Sequence, residues 1–256
     1  MRFGVLNIVN AVTLALLLLV WHFYELPVWY IVLAEVVYIA VLVWGCMTIS
    51  SGFFMPVVCR AVTEDRVVAL SFDDGPSPAY TPGILDTLKM YDVPAAFFCI
   101  GTHIRGNEHI LQRIKDEGHI MGNHSYTHGF WFDMLGAGKM LADMRQMDEV
   151  TIKTTGLKPM LFRPPYGVMN PNLKRAIKKG GYTPVGWSIR SLDTKEKDKQ
   201  KLLSRITGKM KPGDIILLHD TMQVTDAILP ELIAQIRNKG FRIERLDKML
   251  QINAYG

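Results

Sequence analysis

Apolar positions along the chain fall into two regimes. From Phe3 to Tyr24 no charged residue appears apart from a titratable His22, and Leu14–Val20 is solidly aliphatic. After Glu25-Leu26-Pro27 a second apolar run extends from Val28 to about Ser50. Each run has roughly 22 residues, and about 20 residues of helix cross a ~30 Å hydrocarbon core. The pattern predicts a two-helix transmembrane hairpin over 1–55, with spans at about 3–24 and 28–50, followed by a linker over 56–65. A cleaved signal peptide is the rival reading of the first run, but the run is long and no small-x-small site follows it. The polar turn with Pro27, flanked by Trp21, Tyr24, Trp29 and Tyr30, suits an aromatic belt at one interface.

Beyond residue 66 the period changes. Short β-branched or aromatic runs predict strands at Val67–Phe72, Ala95–Ile100, His119–Gly122, Met160–Phe162, Thr183–Ser188, Asp214–Leu218 and Phe241–Arg245. Helical patterns lie between them, at Thr81–Tyr91, Ile104–Glu117, Met134–Thr154, Pro171–Lys179, Lys197–Lys209 and Ala227–Asn238. Glycines such as Gly118, Gly180 and Gly240 fall where helices end before strands, as C-caps do. Alternating β and α units predict a parallel sheet with right-handed crossovers, and seven strands in so short a stretch suit a compact barrel. No G-x-G-x-x-G follows a strand, which removes the main support for nucleotide binding.

Composition sharpens this division. Half of the 256 residues are apolar and the net charge is only +5, which excludes a disordered chain. Three cysteines (Cys46, Cys59 and Cys99) are too few and odd for a disulfide scaffold, and nothing requires a Cys59–Cys99 bond. Residues 1–59 hold only Arg2, Glu25 and Glu35 as formal charges, so 60–256 carries 28 basic and 22 acidic residues, a net of +6. That excess fits anionic lipid or wall polymer nearby, and without a dense basic–aromatic patch it argues against nucleic acid. Two spans return the chain to its starting side. The amino terminus and Arg2 on one flank, with Arg60 and Arg66 on the other, favour a cytoplasmic location for the large domain. Glu35 lies about 12 Å beyond the turn, where a carboxylate costs up to ~2.5–3.5 kcal/mol unless protonated, paired or snorkelling. A contact inside the hairpin or with a neighbouring chain is its expected role, ahead of a proton or substrate relay.

Polar residues cluster at the strand ends. Asp73-Asp74-Gly75-Pro76 follows the first strand, and Asn123 through His128 the third. Arg163-Pro164-Pro165-Tyr166-Gly167 follows the fourth, Asp193 lies beyond the fifth, and His219-Asp220 follows the sixth. In a parallel barrel the carboxyl ends of the strands share one rim, and that rim carries the active site. Each cluster alone has an ordinary reading: Asp-Asp-Gly-Pro is a turn, Arg163 a surface cation and His219 a core histidine. His124 and His128, four apart, can grip one metal. His22, His103, His109 and His119 have no companions at useful spacing and read as structural.

Taken in order, these clusters resemble the five motifs of the polysaccharide deacetylases, the NodB-homology enzymes of carbohydrate esterase family four. The residues concerned are Ser71–Pro76, His124–His128, Arg163–Gly167, Trp187 through Asp193, and Leu217-Leu218-His219, within about 66–250. The resemblance implies a distorted (β/α)7 barrel over 66–256 that hydrolyses an N-acetyl group on a sugar with a divalent metal, Zn²⁺ first and Co²⁺ or another divalent ion as alternatives. It implies Asp74, His124 and His128 as metal ligands and Asp73 as the base that takes a proton from water, paired with Arg163. His219 would protonate the departing amine, oriented by Asp193, and the Tyr166 N–H would face the oxyanion. Leu217 and Trp187 would line the slot for the acetyl methyl.

The fourth motif departs from the family's Asp-x-x-Asp-Trp: Arg190-Ser191-Leu192-Asp193-Thr194 keeps only the second aspartate, adding a cation and losing an aromatic wall. The leading expectation is a membrane-tethered deacetylase of N-acetylglucosamine units in a cell-wall or surface polysaccharide, outside the cytoplasm. That placement opposes the flanking charges. One alternative is a deformylase or deacetylase of a lipid-linked amino sugar at the membrane face; another is an inactive sugar-binding barrel. No sequence feature names a protein partner.

Overall fold

A computed structural model describes residues 2–256. Its first elements are α1 (Phe3–Tyr24) and α2 (Trp29–Met47), an antiparallel pair long and apolar enough to cross a membrane. Their outer faces are exposed, and two pairs of polar groups meet between them. Asn10 Nδ2 donates to Glu35 Oε1 at 3.2 Å, and Tyr38 Oη donates to Asn7 Oδ1 at 3.0 Å. Glu35 is therefore paired across the hairpin, as its cost in an apolar setting requires.

The pair is seated firmly on the rest of the chain. Phe3 N donates to Phe53 O, and Met169 N donates to Cys46 O, both at 3.0 Å. Leu6, Ile49, Phe53 and Phe54 share one buried cluster with Phe162, Met169 and Leu173 of the catalytic part. Gly45 is required at this junction, because a Cβ there would overlap the Phe53 ring.

The catalytic part alternates strand and helix: β1 (Val67–Asp73), α3 (Thr81–Met90), β2 (Ala95–Cys99), α4 (Gly101–Ile104), α5 (Glu108–Asp116), β3 (Ile120–Asn123), α6 (Ala137–Thr155) and β4 (Leu161–Phe162). There follow α7 (Pro171–Gly180), β5 (Thr183–Pro184), β6 (Ile189–Arg190), α8 (Lys199–Thr207), β7 (Asp214–His219), α9 (Gln223–Asn238), β8 (Arg242–Ile243) and α10 (Leu246–Leu250). Local signals place several boundaries. Asn170 caps α7 through Leu173 N, Asp198 caps α8 through Gln200 and Lys201 N, and left-handed glycines close α6 and α7 at Gly156 and Gly181.

The strands form one parallel sheet in the order β5-β4-β3-β2-β1-β7-β6. β1 is its centre and every residue in it is buried, as a strand covered on both faces must be. β8 pairs with Val67 and Val68, on the stretch of β1 before β2 begins opposite Leu70. β5 and β6, the two ends of this curled half-barrel, do not pair. The gap between them is taken by residues 57–61: Val58 N donates to Pro184 O, Gly186 N to Val58 O, and Ala61 N to Gly213 O. The segment read as a linker over 56–65 is thus partly built into the barrel wall.

Another difference concerns Thr183–Ser188, expected as one strand. Only Thr183–Pro184 pairs with β4, and the chain then crosses to β7 as β6. The buried Arg163 guanidinium takes the Val185 and Gly186 carbonyls, at 3.2 and 2.9 Å, so those acceptors serve a side chain in place of a ladder. Cys46, Cys59 and Cys99 are all free, so no Cys59–Cys99 bond forms.

Candidate active site

The carboxyl ends of β1, β3, β4 and β7 converge on one cavity of about 210 Å³, lined by Asp73, Asp74, His124, His128, Tyr166, Gly167, Trp187, Arg190, Leu217 and His219 among others. Larger clefts of about 890 and 680 Å³ lie between surface helices and around Lys89 and Lys248. Neither holds a converging metal-capable cluster among the described residues, so chemistry and not volume identifies the site.

Asp74, His124 and His128 each offer one ligand atom, all within 4.8 Å of one another. The second turn around them fixes their state. His124 Nδ1 lies 2.8 Å from Arg163 O, so this nitrogen carries the proton and Nε2 faces Asp74 at 3.4 Å. Asp74 is held well below the usual carboxylate range: burial opposes this, but the hydrogen bond and charge of His124, then the charges of His219 and His128, prevail. Burial and the neighbouring His124 push His128 down to about 4. An ionised carboxylate and a neutral imidazole are the forms that bind a cation. His124 is raised, because Asp73 and Asp74 outweigh its burial; a bound cation would displace that proton.

Beside this triad, Asp73 is met by Arg163 Nη1 at 2.6 Å. The guanidinium is fully buried. It also donates to Ser71 Oγ at 2.9 Å and lies over the Phe98 ring, 4.0 Å from its centroid. A charge so deeply buried persists only when paired and hydrogen-bonded throughout. On the opposite wall His219 Nδ1 and Asp193 Oδ1 are 2.7 Å apart, leaving Nε2 toward Asp74 Oδ2 at 4.0 Å. Burial alone would depress His219, but the hydrogen bond and charge of Asp193, with Asp73 and Asp74 beyond, push it up to about 8. Leu217 and Trp187 line the same cavity, as does Tyr166, whose ring touches His128 with centroids 4.8 Å apart. A Cβ at Gly167, where φ is +73°, would overlap Trp187.

All ten residues expected at the site are therefore brought together. Several of their supports were not anticipated. Asp143 on α6 accepts from Tyr126 N, Thr127 N and Thr127 Oγ1 and so ties down the loop between the two histidines. Thr225 on α9 and Ser191 both donate to Asp193. Asp220 is fully buried, accepts from Thr81 Oγ1 at 2.6 Å, and fills the space that a Cβ at Gly75 would need. His103, read as a structural histidine without companions, lies 2.7 Å from Asp74 O through Nδ1. Backbone strain concentrates here too. Asp74, Ser125, His128, Tyr166 and Leu192 all adopt positive φ, in loops that carry the site.

Comparison with known proteins assigns this arrangement. A polysaccharide deacetylase family model matches residues 60–185. A peptidoglycan-N-acetylglucosamine deacetylase of Bacillus cereus is 31% identical over 196 residues, covering 73% of this chain and 90% of its own. The chain belongs to the polysaccharide deacetylase family. It is accordingly a hydrolase of the amide bond in an N-acetyl sugar. A crystal structure of a peptidoglycan N-acetylglucosamine deacetylase, bound to a naphthalenyl-N-oxidanyl-benzamide, is similar with a TM-score of 0.73 at 30% identity, over 77% of this chain and 94% of that one. The chitin deacetylase of Colletotrichum lindemuthianum gives a TM-score of 0.73 at 26% identity, over 79% of this chain and 97% of its own. The curled parallel barrel expected from the motifs is thus the deacetylase fold.

Proposed function

We propose that the protein is a membrane-anchored, metal-dependent deacetylase acting on N-acetylglucosamine-type units of a cell-wall glycan. The observation that carries this reading is the convergence of Asp74, His124 and His128 beside the buried Asp73–Arg163 pair. Two imidazoles and one carboxylate are a donor set that suits Zn²⁺ and leaves positions open. When bound there, the ion would polarise the acetyl carbonyl and make water more acidic. Asp73 accepts the proton of the attacking water, held ionised and oriented by Arg163. The Tyr166 N–H meets the negative charge that develops on the carbonyl oxygen, a contact of a kind typically worth ~2.7–4 kcal/mol. As the C–N bond breaks, His219 Nε2 delivers a proton to the sugar nitrogen, and Asp193 holds the imidazole in the tautomer this needs. Leu217 and Trp187 enclose the methyl group.

The exposed apolar side chains of α1 and α2 support the membrane anchor. The test is acetate release by the full chain, purified in detergent and loaded with Zn²⁺ or Co²⁺, from N-acetylglucosamine oligomers. Release is expected, and Asp73→Asn should lower it by about 10²–10⁴-fold. Retained activity in that variant would overturn the assignment.

One observation favours a second reading, an acetylated or formylated amino sugar carried on a lipid. A groove of about 500 Å³ runs beside the catalytic cavity, shares Trp187 and Arg190 with it, and is walled by Met47–Ser50 at the end of α2. A substrate emerging beside the second span would enter there. Preference for a polyprenyl-linked sugar over free oligomers would decide for this reading.

A further inference from the structure

The catalytic domain presents a compact apolar wedge to its surroundings. Within 60–256, the aromatic side chains more than a third exposed are Phe130, Trp131 and Tyr166, at 73%, 67% and 46%; Met134 follows at 77%. Phe130, Trp131 and Met134 belong to the single loop that leaves His128 for α6. Exposed apolar groups gathered in this way mark a contact with another apolar phase.

The wedge is joined to the base of the hairpin. Phe132, between its exposed neighbours, is buried in the cluster that includes Leu6, Ile49 and Phe53. Asn170 Nδ2 donates to Asp133 O at 2.8 Å, and the adjacent Met169 donates to Cys46 O in the last turn of α2. The exposed side chains therefore lie where the hairpin meets the catalytic part. Asp133, in the same loop, has its Oδ1 buried without a hydrogen-bond partner, and burial pushes its carboxyl up to about 6. Lys174 and Arg175, in the first turns of α7 beyond Asn170, have no carboxylate partner among the described residues and suit anionic headgroups.

We propose that Phe130, Trp131 and Met134 insert into the interfacial zone of the bilayer that the hairpin crosses, and so hold the catalytic mouth at the lipid headgroups. The inference rests on the membrane-anchor reading. Phe130 and Trp131 meet edge to face at 85° with centroids 4.8 Å apart, so the two rings form one compact apolar wedge. Met134 is a flexible thioether chain suited to the acyl boundary. Aromatic side chains beside an anchoring helix are the usual occupants of that zone. The wedge adjoins His128 and Tyr166, so its insertion would bring within reach only glycan lying close to the membrane surface.

The full chain is reconstituted in nanodiscs of phosphatidylglycerol and phosphatidylethanolamine, with ordinary or brominated acyl chains. The difference in emission between the native chain and Trp131→Phe isolates Trp131. This component is expected to be blue-shifted and to lose about half its intensity in brominated lipid. The tryptophans of α1 and α2 provide the internal control. Quenching of those with an unquenched, water-like Trp131 overturns this inference and leaves the anchor intact. Absence of quenching at every tryptophan overturns both. A Trp131 emission shifted by soluble N-acetylglucosamine oligomers, and not by brominated lipid, would make the loop a sugar platform and would also overturn it.

Discussion

His219 shows how much of this chemistry is set by single contacts. In the proposed role of leaving-group acid its working form is the charged imidazolium, and Asp193, with Asp73 and Asp74 beyond, pushes its pKa up to about 8. Turnover should therefore fall as pH rises through about 8. In Asp193→Asn the alkaline limb of the kcat profile should move down by about one unit or more. An unmoved limb would detach Asp193 from this role. Gly75 makes a second residue-scale prediction. Its missing Cβ is the space held by the buried Asp220 carboxyl, whose own pKa is pushed up to about 7 by burial. Gly75→Ala should destabilise the protein by about 1–3 kcal/mol in thermal unfolding. It should also weaken metal binding, because the displaced loop carries Asp74. The residues that meet at the candidate site were legible because their types and order along the chain match a known family. Asp143, Thr225 and Asp220 were not, because each acts across the fold on a partner whose distance in sequence carries no signal.

Among elements, β1 was readable from its apolar run Val67–Leu70 with Phe72 beyond, as suits a strand buried on both faces. The segment Thr183–Ser188 was not. Its apolar content suits a strand, yet Arg163 claims two of its carbonyls and divides it between the two ends of the sheet. The hairpin was predicted as two spans, and Glu35 as a contact within it; the partner, Asn10, emerged only when the helices were placed side by side. Asn10→Leu leaves that carboxyl unpaired and should lower stability in a bilayer by about 0.6–2 kcal/mol, measured by thermal unfolding in nanodiscs. Gly45→Leu tests the junction. A side chain there overlaps Phe53, so the hairpin should separate from the barrel, with faster proteolysis between residues 48 and 57 and the barrel still folded.

For the whole molecule, the decisive quantities are metal occupancy and the side of the membrane. A ligand that binds only the folded state at a hundred times its Kd stabilises it by about 2.7 kcal/mol. Chelation should therefore lower Tm and abolish acetate release, and Zn²⁺ should restore both; an unchanged Tm would argue against a held ion. A reporter at the carboxyl terminus reads the compartment. An extracytoplasmic signal fits a wall glycan, and a cytoplasmic one fits the flanking charges of Arg2, Arg60 and Arg66 and a lipid-linked sugar.

By itself the sequence determined the division between an apolar hairpin and a basic barrel, the alternation of strands and helices, and which residues meet at the candidate site. The first two follow from local periodicity, and the last from the order of polar clusters at the strand ends and their resemblance to a known family. Tertiary structure alone decided that residues 57–61 enter the barrel wall and that the catalytic cavity opens beside the end of α2. It also decided that buried carboxylates brace the loops beneath the reacting groups. Such relations depend on where distant segments meet once apolar surface is buried, and no pattern confined to one stretch of chain records that meeting.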